Sequence, residues 1–276
     1  MIKTILRKKI AVIAITILLI QIIFILTGPL FLPYNPNSHE LMASYRGPSF
    51  QHPFGTDKFG RDVLTRIIFG GRISLMVSIL AVMLAFFIGI PYGLICGFHG
   101  GKIDVVLSWI LNLFMSFPQF FLILTVVAIC GTASIWWVIL IIGGLGWMDV
   151  ARIVRNQTLS IKERDFILAE KTLGVSNWRI LISHILPNLL ASVFVVATLM
   201  IGNVILLEST LSFLGLGVQP PTPSWGNIIN EGREVLVDAW WITIFPGITI
   251  IATVVCLNLI GDVLRDILDP RKMAHR

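Results

Sequence analysis

The sequence predicts an all-α integral membrane protein whose chain crosses the bilayer six times. Of its 276 residues 56% are hydrophobic and 13% charged, and the mean hydropathy is +0.88, whereas soluble domains carry about 25% charged residues. Apolar runs recur at about the 20 residues a helix needs to cross a hydrocarbon layer ~30 Å thick. Lys and Arg gather in alternate connections between those runs, as they do in polytopic chains.

The first run, Ile10 to Leu32, follows a short N-terminal segment, 1–9, that holds Lys3, Arg7, Lys8 and Lys9. Such a start is also that of a secretory signal, but a cleaved signal has an apolar core of only about 7 to 15 residues. Here the run continues past Gln21 to Thr27-Gly28-Pro29, so it is read as a retained helix. A loop at 33–72 leads to further spans at 73–96, 105–130, 135–154, 189–207 and 242–264. Between them lie a connection at 155–188, a second long loop at 208–241, and a tail at 265–276. Counting Lys and Arg, 15 of the 21 fall on the side of the two termini and 6 on the other, which places both ends in the cytosol. The net charge of +6 needs no nucleic acid to explain it, because these cations stand where anionic headgroups of the bilayer attract them.

Helix breakers stand inside the runs at Gly89, Pro91, Gly93, Pro118, Gly143, Gly144, Gly146 and Pro246-Gly247. Small residues let membrane helices pack closely, and they also serve as points of bending; the sequence leaves both readings open. The three cysteines, Cys96, Cys130 and Cys256, lie in apolar runs without metal-ligand spacing and are read as packing residues.

No catalytic or metal constellation is expected. The nearest approach to a phosphate-binding loop, Cys96 to Ile103, has Cys96 at the first glycine position and Ile103 at the Mg-binding Ser/Thr position. ATP and Mg therefore belong to other subunits, and this chain needs no cofactor. The five histidines are scattered, without H-E-x-x-H, and no G-x-S-x-G elbow occurs. Asp149, Glu208 and Asp262 are expected near span ends, at the membrane interface, which leaves no central carboxylate for ion coupling. Polar side chains within the runs, Gln21, Asn112, Ser116, Gln119 and Asn203, either line a path or bond across helices.

The connection from Arg155 to Asn188 is amphipathic. Phe166, Ala169, Leu173, Trp178, Leu181 and Ile185 recur at helical spacing among charged residues, with Gly174 between two helical pieces. Such an elbow either lies on headgroups or inserts a short helix into a groove on a soluble partner. Its residues resemble the permeases of ATP-binding cassette importers, whose loop follows E-A-A-x3-G-x9-I-x-L-P. Ala169, Gly174, Leu186 and Pro187 match; Leu168, Glu170 and His184 depart from the pattern. Three more stretches resemble the dipeptide, oligopeptide and nickel branch: Phe54 to Asp62, Leu211 to Gly217 with Pro220 to Gly226, and Gly261-Asp262 with Asp269-Pro270-Arg271.

That resemblance implies a type I importer permease fold in a bacterial inner membrane. It also implies a homologous second permease forming a heterodimer, two ATP-binding subunits and an extracytoplasmic substrate-binding protein. Asp165, Phe166, Ala169, Glu170, Lys171 and Leu173 would form the docking helix, Gly174 the sharp turn, and Pro187 the end of the surface segment. On the outer face Pro220, Pro221, Pro223 and Trp225 suit a docking surface for the binding protein or a plain rigid loop. Asp57, Lys58, Arg61 and Asp62 read as a turn with internal ion pairs. The implied cargo is short peptides or nickel as a chelate; chain length, the compact first outer loop and the Phe166 to Ala169 variant lean to nickel. An ion-coupled transporter or channel is the alternative, and would need paired intramembrane carboxylates or inverted repeats.

Overall fold

The computed structural model describes residues 9–130 and 134–268, without the side chains of Cys130 and Leu268. Lys3, Arg7, Lys8, the reading of Cys130, and the Asp269-Pro270-Arg271 stretch with the rest of the tail lie outside the described residues. Within them the regular structure is helical: α1 Lys9–Phe31, α2 Val63–His99, α3 Gly101–Met115, α4 Gln119–Cys130, α5 Ile135–Lys162, α6 Asp165–Thr172, α7 Asn177–Phe213, α8 Trp225–Gly232 and α9 Trp241–Leu268. Five of these helices are long and apolar enough to cross a membrane; α3 and α4 pass that test together but meet at 77°.

The expected third span at 105–130 is thus not one straight rod. Pro118 has no N–H to give the carbonyl four residues back, and α3 stops at Met115, with the Ser116 N–H on Asn112 O at 3.0 Å. Other prolines are absorbed. Pro29 deprives the Ile25 carbonyl of its helical donor, and Arg72 Nε on α2 supplies one at 2.8 Å. Pro187 stands at the start of the α-helical stretch Leu186–Phe213 of α7, with one π-helical turn at Ile180–Ile185 on its N-terminal side. A wider turn relieves the clash a proline ring makes with the preceding carbonyl.

α2 and α5 form the spine. A methyl at Gly89, Gly93 or Gly97 would stand 2.6–2.7 Å from the carbonyls of Trp147, Ala151 and Arg155 respectively. These three glycines, four residues apart, are therefore close-packing points, and the breakers at Gly89 and Gly93 are packing sites rather than bends. α2 also begins ten residues before the expected Ile73, at Val63, so the first loop ends at Asp62. Asp62 caps it, its carboxylate accepting from Thr65 N at 2.8 Å and Thr65 Oγ1 at 2.7 Å. At 37 residues, α2 reaches about 55 Å, well beyond the hydrocarbon layer. Outward faces are apolar, as at Ile10, Ile23, Phe87 and Ile129, which suits lipid.

Candidate functional site

Three regions matter: a clamped loop at one end of the bundle, an elbow at the other, and a cleft between them. In the clamped loop four charges balance. Asp57 Oδ2 accepts from Arg61 Nε at 2.6 Å and Arg66 Nη1 at 2.7 Å, while Glu231 Oε2 on α8 accepts from Arg61 Nη2 at 2.6 Å and also from Arg66 Nη1. The turn expected at 57–62 does carry internal ion pairs, but with partners sequence reasoning missed. Arg66 and Glu231 join them, Asp62 serves as helix cap with His52 Nδ1 at 2.9 Å, and Lys58 stands over the Phe59 ring. Gly60, at φ +74°, lets the chain pass the Glu40 carbonyl, where a Cβ would sit 1.8 Å from the oxygen.

The same end overturns one expected docking residue. Trp225 is fully buried, and its Nε1 donates to Ile67 O at 3.0 Å. It opens α8, whose N-cap Ser224 accepts from Asn227 N, and packs among Ile25, Val63, Ile67 and Ile228. An indole held in this way anchors its own fold and is not offered to a partner. Pro223 is buried too, leaving Pro220 and Pro221 exposed. Close by, Glu208 is wholly buried, accepting from Ser212 Oγ at 2.7 Å and Ser74 Oγ at 3.0 Å.

At the opposite end α6 is a helix of 8 residues. Its carbonyls are closed off by a Schellman motif: Val175 N donates to Glu170 O at 3.1 Å and Gly174 N to Lys171 O at 3.1 Å, with Gly174 at φ +75°. Ile167 is the buried anchor, packing with Phe98, Val154, Ile161, Ile180 and Ile185. The face expected from periodicity is divided. Leu181 and Ile185 turn inward, whereas Phe166, Ala169, Leu173 and Trp178 stay exposed, together with Leu168. Two neighbouring contacts hold the elbow to the bundle: Lys171 Nζ lies 5.2 Å from the Phe98 ring centroid, and His184 Nε2 lies 3.7 Å from Glu170 Oε1. Beneath it Arg155 grips Asp104 through two bonds of 2.6 and 2.7 Å, tying α5 to α3.

Between the ends, α4, α5 and α7 enclose a cleft of about 550 Å³, lined by apolar side chains and by Gln119, Asp149 and Asn203. A second cleft of about 210 Å³ under the α3–α4 bend shares Gln119 and Asp149. Asp149 is exposed and stands midway along the 28-residue α5, which continues past Arg155 to Lys162. Of the five polar residues singled out for a path, only Gln119 and Asn203 meet there. Gln21 bonds instead across to α9, with Nε2 to Thr249 O at 3.4 Å and Oε1 accepting from Thr253 Oγ1 at 3.2 Å. Asn112 and Ser116 lie on the exposed side of the α3 end, where Ser116 Oγ donates to Leu113 O.

A bundle of lipid-facing helices with a cleft between them and an apolar elbow at one end is the architecture of a membrane permease. The chain belongs to the family of binding-protein-dependent transport system inner membrane components, which matches residues 89–273, and it is a multi-pass permease subunit of an ABC importer. Residues 1–53 match the N-terminal TM domain of oligopeptide transport permease C. Among relatives, the oligopeptide transport system permease protein OppC of Haemophilus influenzae is 41% identical, over 96% of this chain and 86% of its own. The dipeptide transport system permease protein DppC of Bacillus subtilis is 37% identical, over 96% and 83%. A chain of the MetNI methionine ABC transporter, solved in an inward-facing conformation, superposes with a TM-score of 0.59 at 20% identity, over 72% of this chain and 94% of that one. The fold is thus that of a type I importer permease.

Proposed function

We propose that the chain forms half of the translocation unit of a bacterial importer of short peptides, as a heterodimer with a homologous second permease. Two ATP-binding subunits, which hold the ATP and Mg and perform the hydrolysis, bind the elbow end in the cytosol. An extracytoplasmic binding protein delivers cargo at the end that carries the clamped loop, where Pro220 and Pro221 are exposed. The Lys and Arg count supports that orientation, with both termini cytosolic.

The observation that carries this reading is the elbow. A short helix offers Phe166 and Leu168 outward, with Leu173 at its C-cap and Trp178 just beyond the turn, and is fixed from below by the fully buried Ile167. A protruding apolar face on a rigid base suits a helix that fills a groove and passes force into α5 and α7. The relatives named above are peptide permeases at 37–41% identity. They move the reading of the cargo from nickel, to which the loop and elbow variant lean, toward short peptides.

The test is the assembled importer in proteoliposomes. Gly174→Pro removes the N–H that bonds Lys171 O and forbids the positive φ; it is expected to abolish ATP-driven peptide uptake while the chain still inserts in the membrane. Unchanged uptake in that variant would sink the lever role. Peptide movement down an ion gradient by the chain alone would sink the importer reading itself.

A further inference from the structure

The two acids inside the bundle are treated in opposite ways. Glu208 is sealed off and satisfied by serine hydroxyls. Asp149 opens on both clefts and, among the described residues, has no hydrogen-bond or ion-pair partner. A carboxylate within a membrane-spanning helix is expensive to keep, and is normally paired or functional. What the cleft lacks is a cation.

We infer that Asp149 receives the free α-ammonium group of a peptide passing through the cleft, so that it is a specificity-determining residue of the pathway. This rests on the peptide reading above. The walls have the chemistry such cargo requires. Ile142, Gly146, Asp149 and Ile153 follow one face of α5 at spacings of three and four, and Leu199, Asn203 and Leu207 do the same on α7. Apolar walls accept side chains of many kinds without selecting among them. The amides of Gln119 and Asn203 each supply donor and acceptor, which matches a peptide bond. The terminal ammonium is the one cation every unblocked peptide carries whatever its sequence, so a single carboxylate serves the whole class. A volume of about 550 Å³ lies in the ordinary range for small-ligand sites.

The experiment compares uptake of trialanine and N-acetyl-trialanine by the complete importer, with its binding protein, carrying Asp149→Asn or Asp149→Glu. The binding protein's own preference is common to all variants and cancels in the ratio. Expected is a loss of about tenfold in trialanine uptake for Asp149→Asn, less than twofold for the acetylated peptide, and recovery to within about twofold of wild type for Asp149→Glu. If the binding protein does not deliver the acetylated peptide, loss with Asn and recovery with Glu decide in favour of the inference. It is overturned if Asp149→Asn carries trialanine as wild type does, if both peptides fall equally, or if Glu fails to restore uptake; an equal fall would assign Asp149 to pairing with the companion permease. A wild-type importer that moves neither peptide overturns the peptide reading, and the inference with it.

Discussion

At the end of the bundle that carries the first loop, Asp57, Arg61, Arg66 and Glu231 pair with one another under cover, with Arg66 only 1% exposed and its Nε alone left without a partner among the described residues. At the other end Leu173 is 80% exposed and Trp178 72%. At the first end charge meets charge within the chain, and the loop is pinned to α9, where Trp241 Nε1 donates to Thr56 O at 3.0 Å. The second presents large apolar groups on a structured turn, the face that the ATP-binding subunit covers in the proposed assembly. Substitutions at the first end should therefore act on folding, and those at the second on assembly.

The sharpest break is Arg66→Ala. It strands Asp57 and Glu231 with only Arg61 to balance them, and removing one member of a buried ion network costs about 3–5 kcal/mol. Folded yield and the melting temperature in detergent should both collapse; a normal melt would show that the network is not needed. Gly60→Ala follows at about 3 kcal/mol, because a left-handed backbone and a Cβ driven into the Glu40 carbonyl add together. It is measured by the same melt. At the elbow, Trp178→Ala should leave the melt within about 0.5 kcal/mol yet weaken capture of the ATP-binding subunit by about 2 kcal/mol, near thirtyfold, read by co-purification at graded concentrations. A large stability loss there would erase the distinction between the ends.

Much of the membrane portion was legible because solvation forces it: a helix that crosses lipid must be apolar for about 20 residues, and the runs show it. The helix ends were not, since they depend on partners far along the chain. α2 reaches back to Val63 because Arg66 finds Asp57 and Glu231, and Arg72 finds the Ile25 and Leu26 carbonyls. α5 passes Arg155 because Asp104 neutralises it, which puts Asp149 mid-helix. Pro118 and Pro187 look alike in sequence, yet one breaks a helix and the other is absorbed by a π turn; packing decides, and packing is non-local. Trp225 misled for a related reason. Its proline-rich approach suggests a surface loop, while its indole is the core of the α8 contact. The elbow's Gly174 turn was legible because its signal is local, a glycine between two helical periods. Which side of α6 faces inward was not, since Ile167 is chosen by Phe98 and Val154 on other helices.

The smallest effect separates the ends most cleanly, because it repeats one change in two settings. Gly60 and Gly174 have nearly the same backbone, φ +74° and +75°, but Gly174 has no atom within 4 Å of where a Cβ would stand. Gly174→Ala therefore meets only the left-handed strain, about 1 kcal/mol, with no collision to add. Asn tolerates that region better and also occurs at this helix-ending position, so Gly174→Asn should cost less than Gly174→Ala. The expected order in the detergent melt is Gly60→Ala, then Gly174→Ala, then Gly174→Asn, from most to least damaging. Should Gly174→Ala destabilise as much as Gly60→Ala, the space around the elbow must be occupied, and the face assigned to a partner would already be covered by the chain itself.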